Sequence, residues 1–316
     1  MNKNFLLFLL RVAVSFILIY IVIRGVNVKS IFSEMLVARQ GFIFLAFFIF
    51  ILAQIIGAYK WHHLAHKVFE IFYPAPLFLK YYYIGSFYTF FIPGGQFAGE
   101  GMKALRLTQG RPEKAKLLFS QFADRVSGFI GAGIFLLISF SFSPVLRSDP
   151  VSWTGFAFSI GITALGVIMF FAPNHSIQFF FFFSKKISSL RSLEAIVVHN
   201  IAHIKKKKGA LLYAIGIACV SHLASIFATY TVLLSLNIHI PLIYVVWIYL
   251  VMGILIFLPI SYAGLGLREG TFVYYLTLVG VAKENALGAA LIFFGLQIST
   301  AFIGGAAELK EIWSKK

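Results

Sequence analysis

The stretch FFIPGGQFAGEGMK (90–103) decides how this chain can fold, and LPISYAGLGLREG (258–270) repeats its pattern about half a chain later. Each stretch runs from an apolar segment into a turn rich in proline and glycine, and then into a Glu-Gly pair that begins a new helical pattern. Proline removes a backbone donor and glycine favours non-helical geometry, so both stretches are predicted to break a helix. The predicted helix-break residues are Pro93, Gly94, Gly95, Gly99, Pro259, Gly264 and Gly266.

The composition around these breaks is that of an integral membrane protein. Of the 316 residues, 60% are hydrophobic and 12% are charged, and the mean hydropathy is +0.89. In lipid, a broken helix is tolerated only where protein or a water-filled cavity satisfies the freed backbone groups. Two such breaks, each beside a carboxylate, therefore point to a binding site.

The apolar segments predict an all-α polytopic protein with about six full transmembrane helices and two re-entrant hairpins, one at each break. With the N-terminus inside, this topology places Lys60 and the basic residues of 103–116 on the cytoplasmic face, and it leaves Arg268 and Lys283 outside. Such an excess of inner lysine and arginine is typical of membrane proteins. The predicted full spans are 5–23, 41–59, 112–142, 153–172, 209–236 and 286–305.

The same assignment divides the single membrane domain, 1–316, into two repeats. Residues 1–150 and 151–316 each read as span, span, hairpin, span, but the first half begins inside and the second begins outside. Inverted repeats whose discontinuous helices meet near the midplane are the architecture of many secondary transporters.

Ionisable groups near the breaks are candidates for function, because such groups are costly inside a membrane. Glu100 and Lys103 are three residues apart and lie on one helical face, with Arg106 one step further. Lys103 and Arg106 could instead only mark the inner interface. The residues predicted to bind substrate are Glu100, Lys103, Arg106, Asp124, Arg125, Arg268 and Glu269.

The helix that follows the first break has one polar face. At 100° per residue, Asp124 and Arg125 share an arc with small and polar residues from Ser120 to Gly131. Arg125 suits a lipid phosphate because guanidinium donates in a fork, although this pair could only hold the fold together. The opposite arc is predicted to face lipid and holds Phe122, Val126, Phe129 and Ile130.

The second break is followed at once by Arg268 and Glu269. A half-helix from Gly266 would direct its N-terminal amides toward the midplane, which suits an anion, whereas Arg268 could also be an outer-interface anchor. Glu100 and Glu269 could take up protons, or they could accept hydrogen bonds from backbone groups that the breaks leave free.

Two histidine patterns have less specific interpretations. His222, Ser225 and Thr229 form a polar stripe that either hydrogen-bonds to neighbouring helices or lines a cavity. His62 and His66 have a spacing that can bind zinc, but their position after a span favours the interface. No metal or other cofactor is predicted.

Four motif blocks resemble the lysylphosphatidylglycerol synthase transmembrane region, also called the flippase-like membrane domain family. They are Gly99-Glu100-x-x-Lys103-Ala104, then Asp124-Arg125, then Gly264-x-Gly266-x-x-Glu269 after Pro259, and Gly280-Val281. Asp124 departs from the glutamate expected there. The resemblance implies movement of lipids or lipid-linked head groups between leaflets. Its best-known members carry a soluble aminoacyl-transferase domain, so a chain ending at Lys316 is expected to be a stand-alone member.

The expected function is therefore a flippase-like transporter of an anionic lipid or lipid-linked head group, working by alternating access, and not an enzyme. The alternatives are a membrane-embedded transferase acting on lipid-linked substrates and a non-catalytic scaffold for envelope assembly. Membrane lipids are the expected partners. A net charge of +16 is ascribed to topology and not to nucleic acid. A homo-oligomer or an envelope-biosynthesis partner is left open. The expected location is the inner (cytoplasmic) membrane of the cell, with both termini cytoplasmic.

Overall fold

The computed structural model describes residues 3–92, 95–109, 111, 113–172, 204, 206–258 and 260–314, and this part of the chain is helical with no strand. The structure thus confirms an all-α polytopic protein. Its helices are α1 (Lys3–Ile23), α2 (Val28–Leu36), α3 (Gln40–Lys67), α4 (Ala75–Phe91), α5 (Gly95–Thr108), α6 (Lys114–Phe142), α7 (Pro144–Ser148), α8 (Pro150–Phe171), α9 (Lys208–Ser235), α10 (Leu242–Leu255), α11 (Leu267–Leu278) and α12 (Lys283–Trp313).

Five helices in the described ranges are long and apolar enough to cross a membrane: α3, α6, α8, α9 and α12. The shortest of them has 22 residues, or about 33 Å at 1.5 Å per residue, which matches a hydrocarbon core of about 30 Å. The remaining predicted span, α1, contributes a shorter apolar stretch, Leu9–Ile23. The short helices α2 and α7 were not predicted.

The first break separates two helices that form a tight hairpin. Helix α4 ends at Phe91, and α5 begins at Gly95, whose φ is +55°. A Cβ on Gly85 would lie 2.9 Å from the carbonyl oxygen of Gly99, and a Cβ on Gly99 would overlap the hydroxyl of Thr89. The hairpin therefore needs glycine on both helices where they cross. Gly99, predicted as a helix-break residue, lies within α5. Pro93 and Gly94 lie outside the described residues.

The second break is a longer irregular segment between α10 and α11. It contains one 3₁₀ turn, and φ is positive at Ala263 (+50°), Gly264 (+77°) and Gly266 (+80°). A side chain at Gly266 would collide with Leu18 of α1. Pro259, which was also predicted to break this helix, lies outside the described residues. Positive φ values at these positions explain why the helix cannot continue.

The tips of the two hairpins touch each other. A Cβ on Gly95 would lie 3.3 Å from the Cα of Ala263, and the Tyr262 hydroxyl donates to the Phe90 carbonyl oxygen at 3.3 Å. The rings of Phe97 and Phe257 pack nearby, with centroids 4.5 Å apart. The two breaks thus form one structural unit although they are far apart in the chain.

Each hairpin packs on the long helix that follows the other hairpin. Helix α4 packs along α12, and α10 packs along α6, where the Ser139 hydroxyl donates to the Ile243 carbonyl at 2.7 Å. Helices α3 and α9 run together between the hairpins, linked by the Ser221 hydroxyl and the Ala53 carbonyl at 3.0 Å. This exchange accords with two related halves, 1–150 and 151–316, whose inverted symmetry stays a prediction.

The crossing of α4 and α12 supplies a test of this packing. A Cβ on Gly304 would overlap the carbonyl oxygen of Tyr83, so we expect Gly304→Ala to lower the free energy of unfolding in detergent by about 1–3 kcal/mol. The matched control is Gly295→Ala on the same helix, where a Cβ meets nothing within 4 Å. Equal stability of the two variants would contradict the observed crossing.

The topology can be tested by cysteine accessibility in a Cys219→Ser background, since Cys219 is the only native cysteine. Arg106 near the end of α5 pairs with Glu308 near the end of α12. The start of α12 lies about 46 Å away from its end, because the helix has 31 residues. We therefore expect Gln109→Cys and Ala282→Cys to be labelled from opposite sides of the membrane. Labelling of both from one side would exclude the re-entrant arrangement.

Candidate functional site

A cavity of about 250 Å³ lies at mid-length of the long helices, beside the contact between the two hairpin tips. Helices α3, α6, α9 and α12 contribute walls, and both hairpins contribute the remainder. Its charged lining consists of Lys60, Glu100, Lys103, Arg125 and Arg268. Three of the predicted binding residues of the first repeat and one of the second therefore share one cavity.

Glu100 is the acceptor around which this cluster is organised. Its Oε2 lies 2.8 Å from the Lys103 ammonium and 3.0 Å from Nε of Arg125. The same oxygen accepts a short hydrogen bond from Gln121, and Oε1 accepts a weaker one from Gln96 at 3.4 Å. Because α5 begins next to the break, Glu100 lies one turn and a half into the helix and reaches α6.

Asp124 is a second buried acceptor, one residue before Arg125 on α6. It is fully buried, and its Oδ1 lies 3.3 Å from the Lys60 ammonium while its Oδ2 accepts from Arg125 at 3.2 Å. The ammonium of Lys60 also donates to the backbone carbonyl of Asp124 at 2.8 Å. Asp124 therefore holds two cations at the rim of the cavity without lining it.

The assignment of Lys60 to the inner surface was wrong. Helix α3 continues to Lys67, about 10 Å beyond Lys60, so this lysine lies within the helix and is 6% exposed. The predicted span ended at Tyr59, and nothing in the apolar pattern indicated that the helix continues beyond it. The buried position of Lys60 could have been suspected only from the aromatic residue that follows it, Trp61.

Lys103 is also buried and does not extend to the interface. It is 2% exposed, and its ammonium lies 4.3 Å from the centroid of the Tyr82 ring and 5.3 Å from that of Trp61. The electron-rich faces of these rings compensate part of the lost hydration of the ammonium. The indole of Trp61 is fixed by a hydrogen bond to Ser120 at 3.0 Å.

Basic side chains outnumber acidic ones in this cluster. Lys60, Lys103 and Arg125 are its three basic residues, and Glu100 and Asp124 are its two acidic residues. Arg125 is the most accessible of the basic residues, since 25% of its side chain is exposed against 8% for Lys60 and 2% for Lys103. With all five groups ionised, the cluster carries one surplus positive charge, and it presents to the cavity a guanidinium that can bind an oxyanion in a fork.

Arg268 lines the same cavity from the second hairpin. It is 1% exposed, its Nη1 donates to Gln297 at 2.9 Å, and its guanidinium carbon lies 3.9 Å from the centroid of the Phe294 ring. The alternative of an outer-interface anchor does not agree with this burial. Its charge is offset by Glu269, whose Oε1 lies 2.7 Å from Nη2.

Glu100 and Glu269 use their oxygens differently. Glu269 does not line the cavity; its Oε2 accepts from the backbone N–H of Gly266 at 2.7 Å and so caps the start of α11. Of the two roles left open by the sequence, acceptance from a freed backbone group applies to Glu269. Glu100 instead accepts only from side chains in the described contacts.

Arg106, another predicted binding residue, lies away from the cavity. It pairs closely with Glu308 of α12, whose Oε1 also accepts from the Tyr88 hydroxyl at 2.6 Å. One turn further on α12, Glu311 lies 2.7 Å from the Lys80 ammonium. These contacts fasten the first hairpin to α12. The two glutamates were not singled out in the sequence, although acidic residues are scarce in the chain (11 in total).

The remaining polar lining is uncharged. Gln54 of α3 donates to the Thr300 hydroxyl at 3.1 Å, and an imidazole nitrogen of His222 lies 3.0 Å from the Gly128 carbonyl. His222 and Ser225 of the predicted stripe line the cavity, whereas Thr229 does not. Gln54 and Thr300 were missed because a neutral amide or hydroxyl in an apolar helix gives no charge signal.

The face of α6 opposite the charges is only partly lipid-facing. Phe122 is 46% exposed, as predicted, but Val126 and Ile130 are buried, and each would contact a Cβ placed on Gly166 of α8 at 3.3 Å. Phe129 lines the cavity. The prediction that these last three face lipid was wrong, because a helical wheel shows polarity but not which neighbour covers an apolar face.

These long apolar helices and the charged cavity between two broken ones define a multi-pass α-helical membrane protein. The family described as Lysylphosphatidylglycerol synthase TM region matches residues 8–305. The chain therefore belongs to the lysylphosphatidylglycerol synthase transmembrane-region family, which confirms the resemblance and indicates a membrane protein related to lipid handling. A search of curated proteins found no match.

The buried pair of Lys60 and Asp124 supplies a stability test. Asp124→Asn leaves the Lys60 ammonium buried without its carboxylate, so we expect a loss of about 3–5 kcal/mol in the free energy of unfolding in detergent. The double variant Lys60→Met/Asp124→Asn should recover at least half of that loss. If the double variant loses as much stability as Asp124→Asn and Lys60→Met lose together, the two residues are not coupled.

Proposed function

We propose that this protein moves an anionic lipid or lipid-linked head group between the leaflets by alternating access. The observation that carries the proposal is the excess of basic over acidic side chains around the mid-length cavity, together with the accessible guanidinium of Arg125. The cavity lies between two broken helices, the position at which many transporters bind their substrates. Family membership supports a role in lipid handling.

A phosphate needs such a cavity because a charged group is costly in hydrocarbon. Arg125 is already bound to Glu100 and Asp124, so an entering phosphate would share the guanidinium with them and would match the surplus positive charge. The acyl chains can stay in the bilayer, where the outer faces of the helices are apolar; Phe44 and Phe48 of α3 are each 64% exposed.

The polar contacts of the hairpins support movement of one hairpin at a time. The first hairpin is fastened near the end of α12 by the contacts of Glu308 with Arg106 and Tyr88. The second is fastened at the start of α8, where the Tyr274 hydroxyl donates to Asp149 at 2.7 Å. These two fastenings involve different helices, although Arg268 of the second hairpin also donates to Gln297 of α12. Releasing one while the other holds would open the cavity on one side only.

The direct test is transport of fluorescent phosphatidylglycerol by purified protein in liposomes. We expect Arg125→Gln to lower the rate at least tenfold, because the accessible guanidinium is lost, while Arg147→Gln, which removes an exposed arginine outside the cavity, leaves it unchanged. Melting in detergent should show that both variants are folded.

A folded Arg125→Gln variant that transports at the wild-type rate would exclude the proposed site. Chemical alteration of the lipid, detected by mass spectrometry, would favour a transferase. Absence of both movement and alteration would favour a scaffold for envelope assembly.

A further inference from the structure

We propose that the head group accommodated by this cavity combines a phosphodiester with an uncharged, hydroxyl-bearing group, and that a head group ending in an ammonium is discriminated against. This inference rests on the proposed function and specifies its substrate class. It follows from how the acidic and the neutral polar groups around the cavity are engaged.

The carboxylates near the cavity are already committed. Glu100 is the one carboxylate in the described lining, and its two oxygens accept from four side chains. Asp124 is engaged by Lys60 and Arg125, and Glu269 by Arg268 and a backbone N–H. An entering ammonium would have to share a carboxylate that already holds a buried cation, which weakens the existing pair and is unfavourable.

The excess of basic residues also disfavours a cationic head group. With three cations against two carboxylates around Glu100 and Asp124, a second cationic group in the cavity would meet repulsion in a region of low dielectric constant. A phosphodiester brings a single negative charge, which matches the surplus. The part of the head group beyond the phosphate must therefore be neutral.

The neutral wall of the cavity suits hydroxyl groups. Gln54 uses one amide N–H for Thr300 in the described contacts, so its carbonyl oxygen and its other N–H can accept and donate. The hydroxyls of Ser86 and Thr89 donate to backbone carbonyls of their own helix and keep lone pairs that can accept. A group that offers both donors and acceptors, as a polyol or a sugar does, would satisfy this wall.

The size of the cavity limits that group. A volume of about 250 Å³ lies just below the range of about 300–1,000 Å³ that is usual for small-molecule pockets. This suits a phosphate with a small polyol or one sugar, and not a large oligosaccharide. The same chemistry is carried by phosphatidylglycerol and by a polyprenyl-phosphate hexose.

Liposome transport of fluorescent phosphodiester lipids tests the inference. The probes are phosphatidylglycerol, polyprenyl-phosphate hexose, phosphatidylethanol, which lacks both hydroxyl and ammonium, and phosphatidylethanolamine. We expect one or both hydroxylated lipids to move at least tenfold faster than phosphatidylethanolamine, with phosphatidylethanol between them. Faster movement of phosphatidylglycerol or of the hexose lipid identifies the source of the head group.

A gain of function separates this inference from simple loss of folding. Gln54→Glu places an additional carboxylate in the neutral wall, so we expect it to lower the preference for phosphatidylglycerol over phosphatidylethanolamine at least threefold. The control, Gln40→Glu, makes the same change at an exposed position outside the cavity and should leave the preference unaltered.

The outcomes distinguish the two proposals. If phosphatidylethanolamine moves as fast as the hydroxylated lipids, the substrate class is wrong and the transport function stands. If Gln54→Glu leaves the preference of the wild type, the neutral wall does not select the head group and the inference fails. If none of the four lipids moves, the proposed function fails and this inference fails with it.

Discussion

The structure depends on one constraint: a helix that is interrupted within a membrane must find partners for the backbone groups it releases. The second break finds such partners on two helices. Tyr262 N–H donates to the Ser15 hydroxyl of α1, and Gly266 N–H donates to the carboxylate of Glu269 in α11. The two breaks also contact each other, where Tyr262 reaches the carbonyl of Phe90. Because both hairpins end at this contact, their charged residues are brought to the same depth.

Buried ion pairs at that depth add little to the free energy of folding. Taking charged groups out of water costs several kcal/mol per ion, and their mutual attraction often does no more than offset this. A cluster whose cations outnumber its carboxylates is worse in this respect, because three cations must share two carboxylates. The proposed entry of an anionic head group would account for this arrangement of Lys60, Lys103 and Arg125 around Glu100 and Asp124, because the anion would supply the further negative charge.

Much of this cavity could be predicted from charge in an apolar sequence. Glu100, Lys103 and Arg268 were identified because ionisable residues beside helix breaks are rare and costly. Arg125 was identified from the polar face of the helix after the first break, and the structure places all four around one cavity. Arg106 satisfied the first of these criteria but lies on the side of α5 that meets Glu308. The neutral residues Gln54 and Thr300 gave no signal, because a single amide or hydroxyl is tolerated anywhere in a membrane helix.

The sequence by itself determined that this is a helical membrane protein with two interrupted helices, because hydropathy and the positions of proline and glycine are properties of the chain alone. It also determined the family, through four motif blocks of which two lie at the breaks. Only the tertiary structure decided which charges meet. The pairing of Lys60 with Asp124 and of Glu100 with Arg125 joins helices whose relative rotation is set by packing, such as the close approach at Gly85 and Gly99. No local pattern encodes that rotation.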